Sequence, residues 1–304
     1  MLRYFLAAQA LRAFSVNEGT RKLYRKVGNV VGGRRRAAAL PDHYLTRADG
    51  NLRIVEERGL IRDGMRVMEI GTGWAHWEAL FVRCFYDVEA VLMDVWDNRQ
   101  FGGFLRYASE LQERLPELGR PAAQTNKARE VLDRVLACTS FEEVYDALSF
   151  RYVLGVQEAY NSVADGTLDL IFSSDVLEHV PATQARPMLE QHHRMLKSGG
   201  ATAHQIVMTD HLCIYDRKVH PKNYLRYGDR TWGLLYANEV QYINRLQMSD
   251  WQRDFEAAGL DVETIVRTKA DLTGMRIAKQ FAHLDREVLE VAVVSMIGRK
   301  PVAS

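Results

Sequence analysis

The stretch Arg66-Val67-Met68-Glu69-Ile70-Gly71-Thr72-Gly73-Trp74-Ala75 decides how the rest of this chain reads. Arg66–Ile70 is a short apolar run that stops at glycine, which suits a buried strand. Gly71 and Gly73 then permit positive φ and let a ligand come within contact distance of the backbone. Helical periodicity resumes at Trp77–Phe85, and the start of such a helix offers free N–H groups to a polar or anionic ligand. A second strand, Val88–Asp94, ends in an acid placed to accept hydrogen bonds from both hydroxyls of a ribose. A nicotinamide-dinucleotide fingerprint expects glycine at position 76, where this chain has His76, and the acid Glu69 inside the first strand is also atypical of it.

Outward from this unit, strands and helices alternate. Residues 51–59 read as a helix ending at Gly59, a C′ glycine. Residues 101–115 and 128–148 carry apolar positions at helical spacing where a Rossmann-like unit has one short crossover, so about 97–150 reads as a helical insertion. Strands follow at 151–154, 168–173 and 201–208, with a helix containing Pro187–Leu196 between the last two. Ser249-Asp250-Trp251-Gln252 has the S-x-x-Q form of a capping box and opens a helix running to Gly259. The last strands are 262–266 and 288–297. The expected class is therefore α/β, Rossmann-like and doubly wound, with a mostly parallel seven-stranded sheet. Residues 209–248 are aromatic and polar with weak periodicity and read as a lid. The expected division is a basic helical N-terminal extension, 1–47, and a main domain, 48–304.

Bulk properties narrow the class of protein. The net charge is +1 and 47% of residues are hydrophobic, an ordinary globular balance with ample core. Cys84, Cys138 and Cys213 are far apart and odd in number, which argues against a disulfide framework and fits a reducing cytoplasm. Residues 1–40 hold nine Lys or Arg against the single acid Glu18. Leu2, Phe5, Leu6, Gln9 and Ala10 fall on one helical face. A basic amphipathic helix of this kind can lie on an anionic membrane, which would place the protein peripherally on the inner membrane face. The competing reading is a helix packed on the main domain with a solvated basic face. Nucleic acid is not an expected partner, because the basic residues cluster only at this end and no recognition module is visible.

Five motifs, in order, resemble the class I methyltransferase family. They are Glu69-Ile70-Gly71-Thr72-Gly73-Trp74 after the first strand, Val91–Asp94 at the end of the second, Asp165-Gly166-Thr167-Leu168-Asp169 before the fourth, Ser173–Val180 after it, and Leu196-Lys197-Ser198-Gly199-Gly200. The resemblance spans roughly 48–300 and implies an antiparallel last strand and S-adenosylmethionine as cofactor. By this resemblance Glu69, Gly71 and Gly73 hold the amino-acid end of the cofactor and Asp94 the ribose. Val95 or Trp96 lies against adenine, while Ser174 and Asp175 line the floor near the sulfonium. The family's third glycine is Ala75 here, and its neighbour Trp74 would narrow the methionine end.

Asp175 and Glu178 are spaced i, i+3 with His179 adjacent, at the expected start of a helix, which would put both carboxylates on one side. His179 is a candidate general base for a hydroxyl acceptor, with Asp175 beside it. Alternatively Asp175, Glu178 and His179, with His204 from the next strand, would hold a divalent metal, as a similar run does in some O-methyltransferases. A third reading is structural, with the acid capping the helix and the histidine packed beneath a ligand. Aromatics mixed with amides and arginines over 204–250 suit a sugar or glycan acceptor, and the segment resembles a lid of bacterial methyltransferases of surface-glycan synthesis. The expected activity is O-methylation of a sugar or glycan hydroxyl. The alternatives are a small-molecule methyltransferase acting on a phenol, carboxyl or amine in a natural-product or quinone pathway, and a methyltransferase-like binding protein.

Overall fold

The computed structural model describes residues 1–36 and 39–302, with the side chains of 29–36 outside the description. The expected basic run Arg34–Arg36 therefore falls outside the described side chains. In chain order the elements are α1 (Leu2–Phe14), α2 (Glu18–Arg36), α3 (Asp42–Glu57), β1 (Arg66–Ile70), α4 (Trp77–Phe85), β2 (Glu89–Asp94), α5 (Phe101–Arg114), α6 (Ala122–Leu136), α7 (Phe141–Leu148), β3 (Phe150–Leu154), α8 (Val156–Asn161), β4 (Leu168–Ser174), α9 (Ala182–Met195), β5 (Leu196–Val207), α10 (Asp229–Leu235), α11 (Met248–Ala257), β6 (Asp261–Lys269), α12 (Arg286–Glu290) and β7 (Val291–Arg299). The division drawn at residue 47 falls inside α3.

The sheet has seven strands in the order β3-β2-β1-β4-β5-β7-β6. β1 pairs in parallel with β2 and with β4, and β2 pairs in parallel with β3. The β7 end runs antiparallel, with Lys300 N–H donating to Gly200 O and Met208 N–H to Ala292 O. The fold is thus Rossmann-like and mostly parallel with an antiparallel last strand. Val67, Met68, Ile70, Leu92, Leu170 and Ile171 are buried, as the strands of a sheet covered on both faces require.

By contacts the chain forms two compact units. The first comprises Val30–Ser174, Gln191–Ala203 and Gly298–Ser304, and contains β1 to β4 with α3 to α8. Every residue of α4 is buried, Glu78 and Arg83 included. Each of the two charges has a partner: Arg47 lies 2.7 Å from Glu78, and Asp87 lies 2.7 Å from Arg83. The second unit comprises Met1–Asn29, Asp175–Glu190 and His204–Ile297. Its core gathers Tyr4, Ala8 and Leu11 of α1 with Tyr224, Trp232, Tyr236 and Phe281.

Several boundaries differ from the sequence expectation: α3 starts at Asp42 rather than at 51, and β6 runs on to Lys269 rather than 266. The helix expected over 128–148 is two helices, because Ser140 caps α7 by accepting from Glu143 N–H at 3.2 Å. β5 begins at Leu196, earlier than expected, where Gly199 and Gly200 pair with Lys300. The cap of α11 is Gln247, not Ser249: Gln247 N–H donates to Asp250 at 2.9 Å, completing a capping box. β7 begins at Val291, because residues 286–290 form the short helix α12.

Candidate functional site

Gly71 and Gly73 both sit at positive φ, 69° and 66°, a region that L side chains enter only at a cost. A Cβ built on Gly73 meets nothing within 4 Å, so the turn leaves open space above its backbone. Gly71 and Thr72 donate to Met93 O at 2.8 and 3.0 Å, tying the turn to β2. Asp94 closes the arrangement: one oxygen accepts from Gly73 N–H at 2.9 Å, the other from Val95 N–H at 2.7 Å. Its carboxyl is buried, which raises its pKa against the pull of these bonds. The Trp96 N–H also reaches this carboxylate, and the oxygen facing Gly73 keeps lone-pair capacity for a further donor.

Glu69 is turned into the protein. One of its oxygens accepts from Thr72 Oγ1 at 2.7 Å and from Ala79 N–H at 3.3 Å. It therefore braces the glycine turn against α4. The brace continues beyond what the motif suggests. Thr72 Oγ1 lies 2.9 Å from His76 Nδ1, and His76 Nε2 lies 2.8 Å from the Tyr145 hydroxyl. Since the Thr72 proton goes to Glu69, Nδ1 of His76 carries a proton and Nε2 accepts from Tyr145. Burial pushes the pKa of His76 down to about 3, which keeps the ring neutral. Arg99 donates to the same Tyr145 hydroxyl at 3.3 Å. The insertion thus supports the turn through α7. His76, Tyr145 and Arg99 are not named by any motif; the visible signal was His76 standing where a glycine would be easier, and it has φ 45°.

Burial raises the Glu69 pKa from 4.5 to about 8. The proton is bound in the folded state and lost from the unfolded chain between these values. Stability should therefore fall as pH rises through this window, by up to about 1.4 kcal/mol per pH unit. Glu69→Gln keeps the acceptor and removes the titration. The variant is expected to show a flatter Tm from pH 5 to 8 (roughly the window given by the two values). Parallel wild-type and variant curves would mean that Glu69 is already ionised in the fold.

The Trp74 side chain is buried. Its ring packs edge-on against Tyr107, with centroids 4.9 Å apart, and its Cζ3 lies 2.7 Å from where a Gly103 Cβ would be. The glycine on α5 makes room for the indole, which is buried. Val95 and Trp96 stay 55% and 38% exposed beside Asp94, an apolar surface of the kind a flat ring system covers. Ser174 Oγ accepts from Asn51 Nδ2 at 2.9 Å.

In the second unit, the segment after β4 is not the start of a helix. Asp175 has φ 59°, strain of roughly 1 kcal/mol for a non-glycine residue. Leu177–His179 forms one 3-10 turn, and Val180 is extended before Pro181, as the residue before proline prefers. The carboxylates of Asp175 and Glu178 therefore do not share a helix face. Asp175 accepts from Gln205 Nε2 at 2.8 Å, and its N–H donates to Gln205 O at 3.1 Å. Strand alternation puts the neighbour, His204, on the other face of β5, where its ring packs 6.1 Å from Phe255.

The ligand-type atoms that do converge are those of Glu178, His179 and His211, all within 4.8 Å of one another. Asp175 and His204, expected in this set, are outside it, and His211 takes their place. His179 Nδ1 lies 2.6 Å from Tyr242 O, so Nδ1 carries the proton and Nε2 carries the lone pair. Desolvation by the surrounding protein lowers the His179 pKa although the side chain stays exposed, and burial with the neighbouring His179 pushes His211 down to about 4. Asn244 pins the turn: it donates from its backbone to Glu178 O at 2.8 Å and from Nδ2 to Leu177 O and Val180 O. Half of the tyrosine and tryptophan rings of the 209–248 segment are core: Tyr224, Trp232 and Tyr236 are buried against one another and against Tyr4.

Residues 42–265 match a family described as a methyltransferase domain. A search of curated proteins finds no match to the chain. Among solved structures it is similar to phosphoethanolamine N-methyltransferase 2 of Haemonchus contortus in complex with S-adenosyl-L-methionine, at TM-score 0.47 and 14% identity, covering 83% of this chain and 52% of that one. It is similar to a SAM-dependent methyltransferase of Methanosarcina mazei, at 0.45 and 11%, covering 82% and 98%, and to the YcgJ protein of Bacillus subtilis, at 0.42 and 15%, covering 84% and 99%. The chain spans about half the length of the Haemonchus protein. At these identities the likenesses concern the fold alone.

Proposed function

We propose, starting from the fact that this chain belongs to the methyltransferase-domain family and has S-adenosylmethionine as its cofactor, that it methylates a hydroxyl of a sugar or glycan. The open cradle at Gly73, the lone pairs of Asp94 and the exposed Val95 and Trp96 suit such a cofactor's backbone-held tail, ribose and adenine. Bound there, the cofactor supplies an electrophilic methyl group.

The observation that carries the oxygen-acceptor reading is His179. Tyr242 O holds its Nδ1 proton, leaving Nε2 as an unprotonated nitrogen at neutral pH. A hydroxyl must lose its proton as it is methylated, and Nε2 takes it. A carboxylate acceptor would need no such base. For the acceptor class, the support is polar rather than aromatic. The Tyr215 hydroxyl with Gln241 Nε2 at 2.9 Å, and the half-buried His211, offer hydrogen bonds, whereas the larger rings are used in the core. The decisive test is transfer of labelled methyl to panels of sugars, phenols, carboxylates and amines. Transfer to sugars is expected; transfer to phenols alone would shift the reading to a small-molecule pathway, and no transfer to any panel would favour the binding-protein alternative.

A second reading is favoured by the convergence of Glu178, His179 and His211. These would hold a divalent metal through one carboxylate and two neutral imidazoles, with Tyr242 O orienting His179 as carbonyls orient metal-binding histidines. Its chemistry would be to lower the acceptor's pKa. Calorimetric titration with Mn2+ after EDTA treatment separates the two readings. Heat of binding in the wild type that is lost in His211→Ala supports the metal, and no binding leaves His179 as the base.

A further inference from the structure

The N-terminal helix buries a different face from the one its sequence advertises. α1 packs through Tyr4, Ala8 and Leu11, all at most 4% exposed. The Tyr4 hydroxyl donates to buried Asp210 at 2.6 Å, while Gln9 and Arg12 donate to Leu235 O and Gly233 O at 2.8 Å each. With that face committed, Leu2, Leu6, Ala10 and Ala13 follow at i, i+4, i+8 and i+11 along the opposite side, and all are exposed. Leu2 is 71% and Leu6 56% exposed. A helix that needed only a solvated outer face would carry polar residues there.

The flanking segments continue the pattern. Leu234 is 68% exposed and lies between the two carbonyls of α10 that α1 holds. Ile214, 64% exposed, belongs to the 3-10 turn His211–Tyr215, which also packs on α1. Each apolar group has basic neighbours: Arg3 beside Leu2, Arg217 and Lys218 just after Ile214, and Arg230 one turn before Leu234, all exposed. On α2 the exposed side reads Lys22, Leu23, Lys26, Val27. Glu18, Asp216, Asp229 and Glu239 are the acids among them. Leucine and isoleucine tips rimmed by lysine and arginine match the two layers of an anionic bilayer surface, acyl chains beneath phosphates. No helix among the described residues is long and apolar enough to cross a membrane.

We infer that α1, with the Ile214 and Leu234 tips beside it, is a docking surface for an anionic lipid bilayer. The leucine side chains enter the acyl boundary and the basic side chains pair with lipid phosphates. The contact is peripheral and weakens with salt, because part of it is screened Coulomb attraction.

Flotation of the full chain with phosphatidylglycerol–phosphatidylcholine vesicles, against pure phosphatidylcholine vesicles, tests this. The protein is expected to float with the mixed vesicles, to do so less in high salt, and to remain below with pure phosphatidylcholine. Leu2→Asp/Leu6→Asp together should weaken binding by roughly tenfold or more, since each change removes apolar area and adds a repelled charge. Both positions are exposed, so the melting curve should not move, and a lowered Tm would shift the comparison to Lys22→Glu/Lys26→Glu. The inference is overturned if the wild type stays below with mixed vesicles, or if neither pair of changes weakens flotation. A dimer in sedimentation that Leu6→Asp dissolves, without flotation, would assign the face to a second copy of the chain and overturn the lipid reading.

Discussion

Asp94→Ala is expected to weaken S-adenosylmethionine binding by about 100-fold or more, because hydrogen bonds to a charged acceptor are worth roughly 1.5–3 kcal/mol each. Two ribose hydroxyls would lose their acceptor. Gly73 N–H, which donates to Asp94 at 2.9 Å, would also lose the group that holds the turn. Asp94→Asn retains one oxygen and should fall between alanine and wild type. Calorimetry gives the affinities, and thermal melts show whether the fold persists. Wild-type affinity in the alanine variant would remove Asp94 from the cofactor site. Loss of binding confined to Asp94 and glycine variants, with His179 variants unaffected, would separate holding of the cofactor from the transfer step.

His179→Ala should lower kcat by roughly 10²–10⁴-fold while cofactor affinity stays near normal, the usual contribution of a positioned general base. The pH profile gives an independent readout. Desolvation by the surrounding protein holds the pKa of the exposed His179 below the ordinary histidine value of 6.5, and the Tyr242 carbonyl and Asp175 only partly offset it. A base must be unprotonated, so wild-type kcat should stay level through neutral pH and fall only on the acid side of that value. The alanine variant should lose this acid limb. Equal turnover in the two proteins would take His179 out of the mechanism. A retained acid limb with low turnover would mean that another group titrates and His179 only supports the turn.

Much of the cofactor-side architecture was legible in consecutive residues. The run Arg66–Ile70, Gly71 and Gly73, and the helix Trp77–Phe85 match the observed boundaries of β1, the turn and α4. Apolar periodicity and tolerance of positive φ are local properties, so the chain states them in order. Asp94 was legible for the same reason, because it ends a strand paired with β1. What local chemistry left open were the partners. Nothing in the spacing says that Glu69 faces Thr72 rather than open space, or that Tyr145 from the insertion donates to His76.

On the acceptor side, tertiary structure decided nearly everything. The residues Asp175, Glu178 and His179 were visible as a run, but their helix was not formed, because Asp175 takes positive φ and Pro181 holds Val180 extended. His204 and Gln205 are adjacent, and only the strand register says which one meets Asp175. His211, Tyr242 and Asn244 come from an irregular segment with no period to read, and long-range hydrogen bonds place them around His179. The same holds at the N-terminus. Helical spacing named an apolar face containing Leu2 and Leu6, yet α1 is held by Tyr4, Ala8 and Leu11, because a ring and a hydroxyl that meet buried Asp210 outweigh two leucines with nothing to pack on. The sequence by itself determined the backbone turn and the order of strands and helices, since those follow from neighbours along the chain. The three-dimensional packing alone decided which side chains point at one another, since that depends on register and on faces that only distant segments can cover.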